Sequence, residues 1–310
     1  MIRSTGGIIL ISVLLLWSGD AQGTFELEST GSRARSVSLG GAFSTVAGDV
    51  DALWYNPAGL TQMGSMEVFT SYSYLYPELG IGVGSISLGI PLGGAGAFGA
   101  GASMLTGIDN WSDMVLILGY AYPLGSVSIG AGVKILRWSA SSVGKTESAA
   151  GTDISKTSFS LDVGAIYNLG SLLMVNSLKA GVFVRDVIGP NISSAGNDGG
   201  KTPMEFGGGL SFEMAGSLTS LDVSYSDGVA EFRGGVEMSI PGPFEFAVRA
   251  GGMGLMDTGD QKPSHKEVGG ELDFGFGFVF KGIVFDYAYV YPVVAEGLGG
   301  GHKASIGYRF

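Results

Sequence analysis

The sequence contains no cysteine, so disulfide scaffolds, thiolate metal sites and cysteine nucleophiles are excluded together. Histidine is nearly as scarce, with only His265 and His302. A hydrolase would need one of them beside a nucleophile or a carboxylate. Asp257 and Asp260 are the available carboxylates, but no spacing selects either. The expectation is a non-enzyme with no cofactor and no metal. Charged residues are only 15% of the chain, too few for a disordered polyelectrolyte. A formal charge of −11 removes the cation excess that a nucleic-acid partner requires. Beyond residue 17, no apolar run reaches the roughly eighteen residues of a membrane-crossing helix.

Glycine is what the chain has in excess, 55 of 310 residues, yet no G-X-Y period runs through it, which excludes collagen. Gly94, Gly96 and Gly99 match the spacing G-x-G-x-x-G. A dinucleotide site needs a helix to follow that turn. No helical period follows here, so nucleotide binding is not expected.

Three segments are expected. Residues 1–23 combine Arg3, the apolar run IILISVLLLW and the small residues Gly19, Ala21 and Gly23, the anatomy of a secretory signal. Residues 24–63 form the second segment, of which 31–63 do not alternate. Residues 64–310 do, with a period of two. In the stretch ELDFGFGFVF, Leu272, Phe274, Phe276, Phe278 and Phe280 share one face, opposite Glu271, Asp273 and two glycines. At the end of the chain, Ala304, Ile306, Tyr308 and Phe310 oppose Lys303, Ser305, Gly307 and Arg309.

Alternation alone gives a half-buried strand. A phenylalanine-lined face and the tyrosines Tyr287, Tyr289 and Tyr291 fit lipid contact and an aromatic girdle, while small and charged residues fit a lumen. Strands are expected about Val68, Ile86, Ala100, Leu118, Gly132, Val163, Val182, Gly209, Val223, Val236, Val248, Phe276, Tyr287 and Ile306. The connections 90–94, 122–126, 213–217, 240–243 and 280–282 are tight. Those at 139–156, 188–202, 256–266 and 292–301 are long and polar, and 168–177 is longer than its place in the alternation requires.

The fold class expected is therefore all-β: an antiparallel transmembrane barrel of about fourteen strands in the outer membrane of a diderm bacterium, with both termini periplasmic. Tyr308 and Phe310 would form the terminal aromatic signal read by the outer-membrane assembly machinery. Inward charges such as Lys134, Asp162, Arg233, Glu237, Arg249, Glu271, Asp273 and Asp286 are expected to fill the lumen with ion pairs. The glycine-rich stretch with Gly94, Gly96, Gly99 and Gly101 has two readings. It leaves room for a packed plug, or it marks a kinked strand that opens the wall.

The segment ahead of the first strand carries LGGAF, an acidic pair at Asp49 and Asp51, and LWYNPAGL over residues 53–60. Pro57 fixes its own backbone and drives Asn56 into an extended conformation, giving a sharp corner. Trp54 and Tyr55 have apolar bodies with polar handles, suited to wedging against a wall. A compact plug is expected.

Leu39, Gly40, Gly41, Ala42 and Phe43, then Asp49, then Asn56, Pro57, Ala58, Gly59 and Leu60 resemble the amino-terminal signature of the FadL superfamily of outer-membrane proteins, with its shorter PorV/PorQ group the nearer in size. The resemblance implies a fourteen-strand barrel with an amino-terminal hatch at residues 24–63. It further implies uptake of hydrophobic compounds such as long-chain fatty acids, or, for a PorV-like protein, a non-enzymatic part in protein secretion or surface attachment. The partners implied are outer-membrane lipid and hydrophobic small molecules or secreted proteins.

Overall fold

The computed structural model describes residues 31–310, apart from 47, 77–79, 108, 144–150, 194–200, 243, 259–268 and 294–299. The expected signal segment, His265 and Asp260 lie outside the described residues. Fourteen strands follow one another: β1 (Glu67–Tyr76), β2 (Ile81–Pro91), β3 (Ala97–Thr106), β4 (Trp111–Leu124), β5 (Val127–Val143), β6 (Thr152–Leu172) and β7 (Val175–Arg185) form the first half. The second half is β8 (Glu205–Met214), β9 (Ser217–Ser226), β10 (Val229–Ile240), β11 (Glu245–Asp257), β12 (Gly270–Phe280), β13 (Ile283–Pro292) and β14 (Gly301–Arg309). Each pairs antiparallel with its sequence neighbours, and β1 pairs with β14 to close the barrel. Every strand expected from the alternation is present.

The start of β1 and the end of β14 define one rim, here the near rim; the opposite end is the far rim. Two-residue near-rim turns at Ala215–Gly216 and Lys281–Gly282 hold both residues at positive φ. That geometry matches the twist of the flanking strands. The connection at 168–177 is also tight. Strand β6 runs to Leu172 and β7 starts at Val175, so its unexpected length is strand. Much of the polar stretch 139–156 is likewise strand, the far-rim ends of β5 and β6. His302 lies in β14, where its Nδ1 and the Tyr287 hydroxyl share a hydrogen bond of 2.7 Å.

The outer surface is apolar. Ile86, Leu118, Val182, Leu221, Phe274 and Ile306, from six strands, are each more than half exposed. So wide an apolar band has no place in water and is the lipid face of a transmembrane barrel. Between Leu272 and Phe274, both on that face, Asp273 is wholly buried. The hydrophobic core is inside the barrel, and much of it belongs to residues 31–63. Leu39, Phe43, Val50, Leu53, Trp54, Tyr55 and Leu60 are all buried there.

Candidate functional site

Inside the barrel the amino-terminal segment folds as two short helical turns, Ala34–Val37 and Ala52–Tyr55, and a 3-10 turn, Pro57–Gln62. Asn56 is extended (φ −153°, ψ 103°), as its place before proline requires. Its side-chain oxygen accepts from the Ala58 amide at 3.2 Å and caps the 3-10 turn, which Pro57 opens. Its Nδ2 donates to the Ser44 carbonyl at 2.9 Å and reaches the wall carbonyls of Ala165 and Val182. A Cβ on Gly164 would collide with that amide. Asn56 therefore fastens the corner of the segment to β6 and β7.

Two kinds of seam join segment to wall. Along β10, β11 and β13 the seam is ionic. Arg33 meets Asp286 at 3.0 Å, Asp286 meets Arg249 at 2.9 Å, and Arg249 meets Glu237 at 2.5 Å. Glu237 takes Arg35 in a two-bond fork of 2.8 and 2.9 Å; Arg35 meets Asp49 at 2.7 Å, and Asp49 returns to Arg33 at 3.4 Å. Six alternating charges thus form a closed ring, with Arg33, Arg35 and Asp49 from the segment and the other three from the wall. The Arg33 guanidinium also lies 3.7 Å above the Phe69 ring. Nearby, Asp222 of β9 accepts from the Ser44 amide and hydroxyl at 2.8 and 2.7 Å.

Within the segment, Asp51 accepts from the Arg33 amide and the Ser36 hydroxyl. Burial pushes its carboxyl up to about 6, with the adjacent Asp49 carboxylate adding to the rise. Asp49 goes the other way. Burial works to raise it, but Arg33 and Arg35 outweigh that and hold it below the ordinary carboxylate range.

Along β2 to β5 the seam is apolar. Leu53 and Leu60 lie against Gly99 of β3 and Gly119 of β4, and Trp54 lies against Gly101. Its indole nitrogen donates to Ser87 at 3.1 Å. The Ala58 backbone occupies the place of a side chain at Gly130 of β5. Above this seam, toward the far rim, Leu105, Val115, Ile117, Leu136 and Trp138 are buried. Trp138 stacks on Trp111 at 5.1 Å and donates to the carbonyl of Ile192, in the β7–β8 connection. A polar cavity of about 270 Å³ opens instead between Arg35, Lys179, Glu213 and Glu237.

Of the two readings of the glycine-rich stretch, room for a packed plug is the one seen, and β3 has no kink. Gly94 and Gly96 belong to the turn before β3, and β3 pairs with β2 and β4 from Ala97 onward without a register shift. Gly99 and Gly101 give up their side-chain space to Leu53, Leu60 and Trp54, so the wall is closed there. Of the residues singled out in the sequence, Asp49, Trp54, Tyr55, Asn56, Pro57, Ala58 and Gly59 come together in this buried segment. Gly40 and Gly41, both at positive φ, form the turn that faces β10 and β11. Tyr308 and Phe310 pack edge to face at 4.9 Å on the near rim.

Solved structures share this architecture, among them the following three. A Pseudomonas aeruginosa FadL homologue superposes with a TM-score of 0.63 at 13% identity, covering 90% of this chain and 98% of its own. The CymD monoaromatic hydrocarbon channel gives 0.64 at 14%, covering 91% and 98%. The Pseudomonas putida toluene transporter TodX gives 0.57 at 11%, covering 93% and 97%. The fold is the FadL-type barrel. No protein-family profile matches the sequence, and no curated sequence is significantly similar to it. In this FadL-type barrel, sequence reasoning missed Arg33 and Arg35 as the ionic contacts. Their signal was available: two arginines two positions apart in a segment bound for an acid-rich lumen.

Proposed function

We propose that the protein takes up small hydrophobic compounds across the outer membrane, with residues 31–63 as a hatch that closes the lumen. The observation that carries this is the apolar seam. From Trp138 and Leu136 past Val115 and Ile117 to Leu53 and Leu60, one side of the lumen is filled by a single buried apolar cluster, a greasy path once the segment moves aside, while the ionic ring holds the other side. A ligand without charge can follow such a surface and gains nothing from the ring. The superposed proteins support the ligand class, since their names specify monoaromatic hydrocarbons and toluene. Long-chain fatty acids extend it, because an acyl chain presents the same methylene surface to the seam. In this reading both termini are periplasmic, and Tyr308 and Phe310 are the signal for the assembly machinery.

The test is uptake of labelled toluene and oleate by cells lacking the gene. Uptake is restored by the wild type and not by Leu53→Asp, which puts a charge in the seam. Equal uptake with and without the gene removes the reading.

A second reading, a PorV-like interaction component, is favoured by one feature. Leu173 and Met174, at the near-rim turn of β6 and β7, are 97% and 84% exposed. So apolar a tip suits a protein partner on that side. Photocrosslinking from position 173 to a single large protein in intact cells supports this reading, and the absence of any adduct removes it.

A further inference from the structure

Among the described residues, the six-charge ring is balanced, and a second group of lumen charges closer to the far rim is not. On the inner faces of β7, β8, β10 and β12, Arg185 bonds Glu205 at 2.6 Å, while Arg233 bonds Glu231 and lies 3.9 Å from Glu205. Glu271 and Asp273 share this region, so among the described residues four acids face two arginines, and both arginines are already engaged. Asp273 is the extreme case. It is wholly buried, and neither carboxylate oxygen has a hydrogen-bond donor among the described residues. The charge that acts on it is another acid, Glu271. Glu271 in turn feels Arg233 and Glu231. A buried, unpaired carboxylate is among the most destabilising groups a protein can carry, and this one stands beside a second.

From this geometry we infer that Glu271 and Asp273 form a binding site for a hard metal cation on the far-rim side of the segment. Two residues apart on one strand, both side chains point into the same space. Their donors are all oxygens, which select calcium or magnesium over zinc or copper, and calcium tolerates irregular geometry completed by water and main-chain oxygens. Main-chain atoms lie in the same layer. Gly251 pairs with Asp273, and Leu39 and Gly40 of the segment press directly on Gly251. No group of three or more acidic or histidine side chains is arranged for a metal among the described residues, so the site rests on this pair and on such main-chain and water ligands. Glu271 is only partly buried and gives the ion its way in from the far rim.

The inference does not depend on the transport reading, and its test reads no transport. Metal-depleted protein in detergent is titrated with calcium chloride, following heat and thermal unfolding. The wild type is expected to bind one calcium per chain and to unfold at higher temperature as calcium rises. Asp273→Asn is expected to lose both effects. Glu271→Gln should weaken binding by at least the roughly tenfold that even an outer-shell change costs a metal site. Should Asp273→Asn fail to fold, equilibrium dialysis of the wild type against Glu271→Gln decides. The inference is overturned if neither calcium nor magnesium binds or stabilises the wild type. It is equally overturned if the variants bind as the wild type does. Stabilisation of the wild type by acid alone, with no cation effect, would mean that Asp273 is simply protonated.

Discussion

The two seams that hold the amino-terminal segment inside the barrel contrast in kind. Against β10, β11 and β13 the contact is a ring of charges; against β2 to β5 it is leucine and tryptophan on bare glycine backbone. The ring is directional and unforgiving. Each member is buried or nearly so, and removing one leaves its partners uncompensated. The apolar seam is non-directional, and a greasy molecule can replace its contacts with equivalent ones. Under the proposed hatch function, the charged side would be the pivot and the apolar side the opening.

The contrast can be broken most forcefully by deleting residues 31–60. Planar-bilayer conductance is expected to rise by about an order of magnitude or more, because a fourteen-strand barrel without its filling leaves a water-wide interior. Unchanged conductance would mean that the segment does not seal the lumen. Arg33→Met is the next largest change. With Asp49 and Asp286 each losing a partner, urea unfolding in micelles should report a loss of about 3–5 kcal/mol. A loss as small as that of an exposed pair would show that the ring is not a structural clamp.

On the apolar side, Gly130→Ala should cost about 1–3 kcal/mol, because the new methyl meets the Ala58 backbone and not a side chain that can turn away. Gly99→Ala should cost less, since its nearest neighbour is the Leu60 methyl at 3.1 Å. Reversal of that order in paired melts would contradict the close fit. The smallest effect is a slope. Folded Asp51 holds its proton up to about pH 6 against an ordinary 3.8, so its contribution is full in acid and fades as pH rises through 6. Asp51→Asn should flatten stability over that interval by at most about 1.4 kcal/mol per pH unit. An unaltered slope would assign the titration elsewhere.

Much of the barrel was legible because its signal is local. The alternation Leu272-Asp273-Phe274 states which medium each side chain meets, and it does so without knowledge of the neighbouring strands. Asn56-Pro57 was legible for the same reason, since proline acts on the residue beside it. The ring was not, because Arg33 and Asp286 are 253 positions apart and only barrel closure brings them together. Gly99 and Gly101 left two readings open for a physical reason. Glycine in a strand permits a bend or a close approach with equal ease, and the choice is made by Leu53, Leu60 and Trp54, which lie some forty residues earlier.

Glu67 opens β1, and it bonds Arg309 at 3.2 Å while its other oxygen lies 3.8 Å from Arg33. The Phe310 amide then ties to the Met66 carbonyl. One acid therefore belongs both to the stitch that joins the first and last strands and to the charges that grip the filling. Closure of β14 onto β1 and the seating of Arg33 therefore draw on the same carboxylate, so barrel closure and plug retention are tied together at Glu67.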